Sequence, residues 1–140
     1  MAGLFFEDLS VGQSASFAKT ITDADILLFS AVSGDTNPVH LNAEYAAGTM
    51  FGQRVAHGML SAGLISAVLG TRLPGPGTIY LAQNLKFRAP VKIGDTVTAT
   101  VTVSALDAAK KRATLTTVCT VDGKPVIEGE ASVMVPSRAA

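Results

Sequence analysis

The sequence predicts an α+β fold, an antiparallel sheet wrapped around one central apolar helix, and three observations carry that prediction. The longest apolar stretch, "HGMLSAGLISAVLGTRLPGPG" (57–77), leaves almost no polar face. Every segment after it reads as strand. Before it lie one strand-like and one helix-like segment. A helix that is apolar all round has to be buried. In a chain whose second half is strands, the natural cover for it is a sheet.

The elements follow in order. "GQSASFAKTI" has a β-like mix without helical period, which places a first strand over Gln13–Ile21. In "TDADILLFSAVSG", Thr22 caps a helix, Asp25 three residues on completes a capping box, and Ile26, Leu27 and Phe29 supply an apolar side. Gly34 ends it. A short helix is expected around Ala43–Ala47. The long apolar helix then runs from His57 until Pro74 and Gly75 stop it, and its many Gly, Ala and Ser residues let a sheet approach closely. "TIYLAQNLKFRAPV" is the next strand, halted near Pro90. "DTVTATVTV" alternates strictly, with Val97, Ala99, Val101 and Val103 on one face and threonines on the other. "RATLTTVCTV" repeats the character, Asp122-Gly123 makes a hairpin turn, and "PVIEGEASVMV" closes the set.

A chain of 140 residues is read as one domain, 1–140. Eleven basic residues balance eleven acidic ones, so no global field invites nucleic acid or an anionic membrane. Charged residues make up only 16%, a low fraction that predicts surface covered by a partner subunit. The one cysteine, Cys119, excludes an internal disulfide and a cysteine-built zinc site, and its Thr/Val surroundings predict a buried structural thiol. "MAGLFFEDLS" lacks the basic start and apolar run of a signal peptide, and no segment has the length of a membrane span. The expected location is cytoplasmic.

One loop stands out. "SGDTNPVHLNAEYA" (33–46) gathers Asp35, Asn37, Pro38 and His40 within six positions of an otherwise apolar chain. Gly34, Asn37 and Pro38 are turn formers. Taken alone, Asp35 is as well explained as a cap on loop N–H groups, and His40 as a hydrogen-bonded structural histidine. Asn37 is read as a brace for the loop. "PGPG" is a turn rather than a phosphate loop, because no Gly-Lys-Ser/Thr follows.

This loop resembles the motif of the MaoC-like (R)-specific enoyl-CoA hydratases, which have the hot-dog fold. The motif runs Ser/Gly, Asp, a variable residue, Asn-Pro, an aliphatic residue, His, and a small residue six positions later. "VAHGMLSAGLISAVLG" is similar to the segment that opens the family's central helix, and the likeness continues through "IYLAQNLKFRAPVKIGDTV". The short, single-domain hydratases that feed polyhydroxyalkanoate synthesis from β-oxidation are matched more closely than hot-dog proteins in general. The resemblance implies that Asp35 and His40 are the catalytic pair and that the backbone N–H of Gly58 donates to the thioester oxygen. It implies further that Ser66 lies near the pair. Ser66, Leu69 and Arg88 are the candidate substrate contacts.

Hydrating an enoyl thioester suits such a set. One group must take a proton from water, one must deliver a proton to the α-carbon, and a donor must hold the oxyanion. The activity implied is reversible conversion of trans-2-enoyl-CoA to (R)-3-hydroxyacyl-CoA, by a homodimer, with no metal and no organic cofactor. Two other functions compete: dehydration of 3-hydroxyacyl chains on acyl carrier protein, and non-catalytic binding of acyl thioesters. An intact acid–base pair argues against pure binding. Asp35, His40 and His57 also have the composition of a two-histidine, one-carboxylate metal site, but the hydratase reading accounts for Gly58 as well. His57 is expected to be structural. Lys86, Arg88 and Lys92 are candidates to meet the phosphates of coenzyme A, with Lys110, Lys111 and Arg112 as a rival cluster; for each, solvated charge is the simpler reading.

Overall fold

A computed structural model describes residues 2–139. Five strands, β1 (Ser14–Thr20), β2 (Ile79–Phe87), β3 (Thr96–Asp107), β4 (Arg112–Val121) and β5 (Lys124–Met134), form one antiparallel sheet in the order β1-β3-β4-β5-β2. The helices are α1 (Asp23–Ser33), α2 (Pro38–Leu41), α3 (Ala43–Ala47) and α4 (Gly58–Thr71). Helix α4 lies against β1, β3, β4 and β5, so the predicted arrangement of sheet and helix is present.

The alternation in β3 does what its period requires. Val97, Ala99, Val101 and Val103 are at most 1% exposed and meet Ile65, Val68 and Leu69 of α4 in one core. The threonine face carries a row of hydroxyl pairs to β1: Ser14–Thr102 at 3.1 Å, Ser16–Thr100 at 2.7 Å and Thr20–Thr96 at 2.7 Å. A register shift between Val103 and Ala105 then ends the strict alternation. At the β4–β5 hairpin, Asp122 and Gly123 both have positive φ, 51° and 77°, as a two-residue turn with the twist of its strands demands. Helix α1 starts as its capping box predicts: Asp25 N–H donates to Thr22 Oγ1 (3.2 Å) and Thr22 N–H to Asp25 Oδ2 (2.9 Å). It ends at Gly34, φ 80°.

One expectation is corrected. Helix α4 is not buried all round: Met59, Gly63, Ser66 and Gly70, spaced as one helical stripe, are exposed in the single chain. Composition shows that a helix is apolar; it does not show which part of it the chain's own sheet reaches. Beside the stripe runs β2, an edge strand with all but two of its residues exposed, and between them lies a groove of about 370 Å³ lined by Gly63, Tyr80, Leu81 and Leu85 among others.

Candidate active site

The polar loop is built by local side-chain capping. Asp35 N–H donates to Ser33 Oγ (3.1 Å), Asn37 N–H to Asp35 Oδ1 (3.2 Å), and Val39 N–H to Asn37 Oδ1 (3.2 Å). Asn37 is thus the N-cap of α2, and Pro38 takes the first helical position, where a missing N–H costs nothing. Asn37 braces the loop as expected. The carboxylate of Asp35 serves as a cap through Oδ1, while Oδ2 accepts no hydrogen bond among the described residues. The residue is exposed at the edge of a cleft.

Helix α2 carries His40 to the same cleft. The ring's Nδ1 is 2.8 Å from the carbonyl oxygen of Val55. A ring nitrogen held there carries the hydrogen, which leaves a lone pair on Nε2. Arg54 secures the residue from behind: its Nε donates to the His40 carbonyl and its Nη2 to Asp23 Oδ1 at the start of α1, both at 2.6 Å. Nothing in the sequence pattern singled out Arg54, because its partners lie 14 and 31 residues away.

Past α3, the chain reaches His57, the N-cap of α4. His57 is 2% exposed and stacks on His40, centroids 3.8 Å apart and planes at 26°. Gly58 opens the helix, and its N–H has no acceptor among the described residues. A free N–H at the positive end of a 14-residue helix is a natural seat for an oxyanion. The ring of Phe87, from the end of β2, lies directly on this glycine: a Cβ on Gly58 would fall 2.4 Å from Phe87 Cε1. Asp35, His40, His57, Gly58 and Phe87 line one cleft of about 580 Å³. Phe87 was not singled out in the sequence; its placement depends on β2 pairing with β5.

Three sequence-predicted residues, Asp35, His40 and Gly58, therefore meet at one cleft, and Arg88 lines it too. Arg88 pairs with Glu128 at 3.1 Å, both side chains about half exposed. The other two expected substrate contacts, Ser66 and Leu69, do not line this cleft in the single chain. Ser66 lines the groove between α4 and β2, two turns up the helix from Gly58. Leu69 is 1% exposed within the core and lines neither cavity, because it sits on the α4 face that packs against the sheet. Lys111 stands apart from the cleft, 3.9 Å from Glu7 and over the ring of Phe6. Cys119 is buried, with its thiol pushed up to about 11 by desolvation, which makes it a packing residue.

Asp35, His40 and His57 each place one potential ligand atom within 4.8 Å of the others. Imidazole lone pairs lie in the ring plane, so two rings stacked at 26° aim past one another instead of at a common ion. The nitrogens His40 Nδ1 and His57 Nε2 are already at carbonyl oxygens. The set suits proton transfer beside an anion-holding N–H.

Comparison with known proteins agrees in family and fold. Residues 8–125 match the MaoC-like domain. The chain is similar to an (R)-specific enoyl-CoA hydratase of Rhodospirillum rubrum, 67% identical, covering 96% of this chain and 93% of that one. It is 51% identical to a 3-hydroxybutyryl-CoA dehydratase of Methylorubrum extorquens, covering 96% and 86%. A solved structure, the (R)-hydratase from Aeromonas caviae involved in polyhydroxyalkanoate biosynthesis, superposes with a TM-score of 0.90 at 46% identity, covering 93% of this chain and 99% of that one.

Proposed function

We propose that this chain, which belongs to the MaoC-like domain family, is an (R)-specific enoyl-CoA hydratase that reversibly adds water to trans-2-enoyl-CoA. One observation carries the reading: a carboxylate, an imidazole with a free lone pair and an unpaired helix-start N–H line a single cleft. In the proposed reaction His40 Nε2 takes a proton from a water that Asp35 orients. The water oxygen bonds to C3, and the π electrons move onto the thioester oxygen, where Gly58 N–H holds the charge. Collapse of this enolate takes a proton from the pair at C2. One water is consumed, with its oxygen on C3 and one of its hydrogens on C2. No step calls for a metal or organic cofactor.

The proposed working unit is a homodimer of a single domain, 1–140, located in the cytoplasm. The exposed α4 stripe and the unpaired edge of β2 support the dimer, because together they form an apolar face beside the substrate cleft. No helix among the described residues is long and apolar enough to cross a membrane. The proposed metabolic place is supply of (R)-3-hydroxyacyl units from β-oxidation to polyhydroxyalkanoate synthesis, consistent with the role named for the Aeromonas relative.

The test is hydration of crotonyl-CoA followed by loss of enoyl absorbance, with chiral analysis of the product. Turnover to the (R)-3-hydroxy thioester is expected. Preference for the same acyl group on acyl carrier protein would replace this reading with the carrier-protein dehydratase. Binding without turnover would replace it with a thioester-binding module.

A further inference from the structure

His57 touches all three parts of the site, although the chemistry above gives it no proton to move. Its Nε2 is 2.9 Å from the main-chain carbonyl oxygen of Asp35 and 3.1 Å from Ser30 Oγ. A bare ring nitrogen facing a carbonyl oxygen at that distance would set lone pair against lone pair, so the hydrogen is on Nε2 and is donated to Asp35. Nδ1 is left as a buried lone pair with no partner among the described residues. The ring's face backs the imidazole of His40 at 3.8 Å, and Phe29 closes one further side at 4.8 Å. The residue's own carbonyl carbon is bonded to the nitrogen of Gly58.

Packing does not account for a histidine here. A leucine or phenylalanine would fill a 2%-exposed position without stranding a polar nitrogen. What an apolar side chain could not do is hold the Asp35 carbonyl. The other hydrogen bonds made by Asp35 itself are local, to residues two positions away. The bond from His57 spans 22 residues and is what fastens that turn to the start of α4.

We propose that His57 is a positioning residue for hydration: its Nε2–H anchors the main chain of Asp35 while its ring backs His40, which sets the spacing of carboxylate, imidazole and Gly58 N–H. This rests on the hydratase reading of the same cleft. Small misplacements of reacting groups are costly, about 10²-fold in rate for about 1 Å. Losing the anchor should therefore show in kcat and spare KM.

Two kinds of variant separate the parts. His57→Gln keeps a donor at about the reach of Nε2 and loses the ring; His57→Phe keeps the ring face and loses the donor. With crotonyl-CoA, His57→Phe is expected to lose about 10–10²-fold in kcat with KM within about threefold. His57→Gln is expected to recover kcat to within about fivefold of wild type. A purely structural histidine predicts a lower Tm in both, with no such split and no rescue. His57→Leu serves as a second donor-free variant if the phenylalanine ring prevents folding. Asp35→Asn is measured alongside, so that the two readings fail separately. Wild-type protein that does not hydrate crotonyl-CoA would remove the hydratase reading. Active wild type and inactive Asp35→Asn, with folded donor-free His57 variants within threefold of wild-type kcat, would overturn the role of His57 alone. If neither donor-free variant folds, His57→Gln decides: kcat below about a tenth of wild type in folded protein overturns the anchor, and near-normal kcat supports it.

Discussion

Asp35 is the residue whose two duties are hardest to separate, since one carboxylate oxygen caps the loop and the other is open to the cleft. Asp35→Asn keeps the shape but removes the negative charge beside the water, and His40→Gln keeps hydrogen bonding without a titrating ring. Each is expected to lower kcat about 10²–10⁴-fold with the fold intact, and the double variant should be little worse than the poorer single one. Kinetics and thermal unfolding on the same three proteins check this. A drop in Tm with turnover preserved in the folded fraction would mark Asp35 as a cap only. At Gly58, the ring of Phe87 occupies the space of any added Cβ. Gly58→Ala should therefore displace that ring and lower kcat, and adding Phe87→Ala should relieve the crowding and raise Tm again. If the double variant regains kcat as well, crowding explains the loss; if kcat stays about 10²-fold low, geometry at the N–H does.

Helix α1 sets where the loop begins, and its start is fixed by few contacts. Removing the cap with Thr22→Ala is expected to cost about 1 kcal/mol, seen as a lower urea midpoint at unchanged slope. Asp25 adds a pH signature. A hydrogen bond from Lys19, followed by the Thr22 N–H, holds its carboxyl below the ordinary value of 3.8. A lowered carboxyl pKa stabilises the fold above the unfolded value, and the contribution is lost as pH falls through the lowered one. The stability gap between wild type and Asp25→Asn should thus be present at pH 7 and shrink below about pH 4. A gap unchanged at pH 2.5 would rule out the linkage. Helix α4 shows the limit of pattern reading: its apolar character was evident, whereas its exposed stripe was not.

At the scale of the whole molecule, the apolar β2 edge and the α4 stripe are the surface to test. Leu81 is 41% exposed on an edge strand, and Met59 is 55% exposed beside it. Charged residues placed there, as in Leu81→Lys with Met59→Lys, are expected to convert a dimer to monomer in sedimentation and to lower activity in step. A wild-type protein that is monomeric and fully active at all concentrations would refute the dimer.

The sequence by itself determined the elements whose cause is local. A capping box, a strict two-residue alternation, an Asp-Gly turn and a polar motif of fourteen residues each act between residues close together in the chain. Even within the motif, the bracing role of Asn37 follows from neighbours one and two residues away. The tertiary structure decided everything that depends on which distant segments meet. It brought Val55 to His40 Nδ1, Arg54 to Asp23, Phe87 onto Gly58 and His57 to the carbonyl of Asp35. It also set Ser66 on the groove beside β2 and Leu69 in the core, because a rigid helix turns side chains about 100° per residue and the sheet chooses which of them it covers. Propensity acts along the chain, whereas a catalytic distance is set by packing across it.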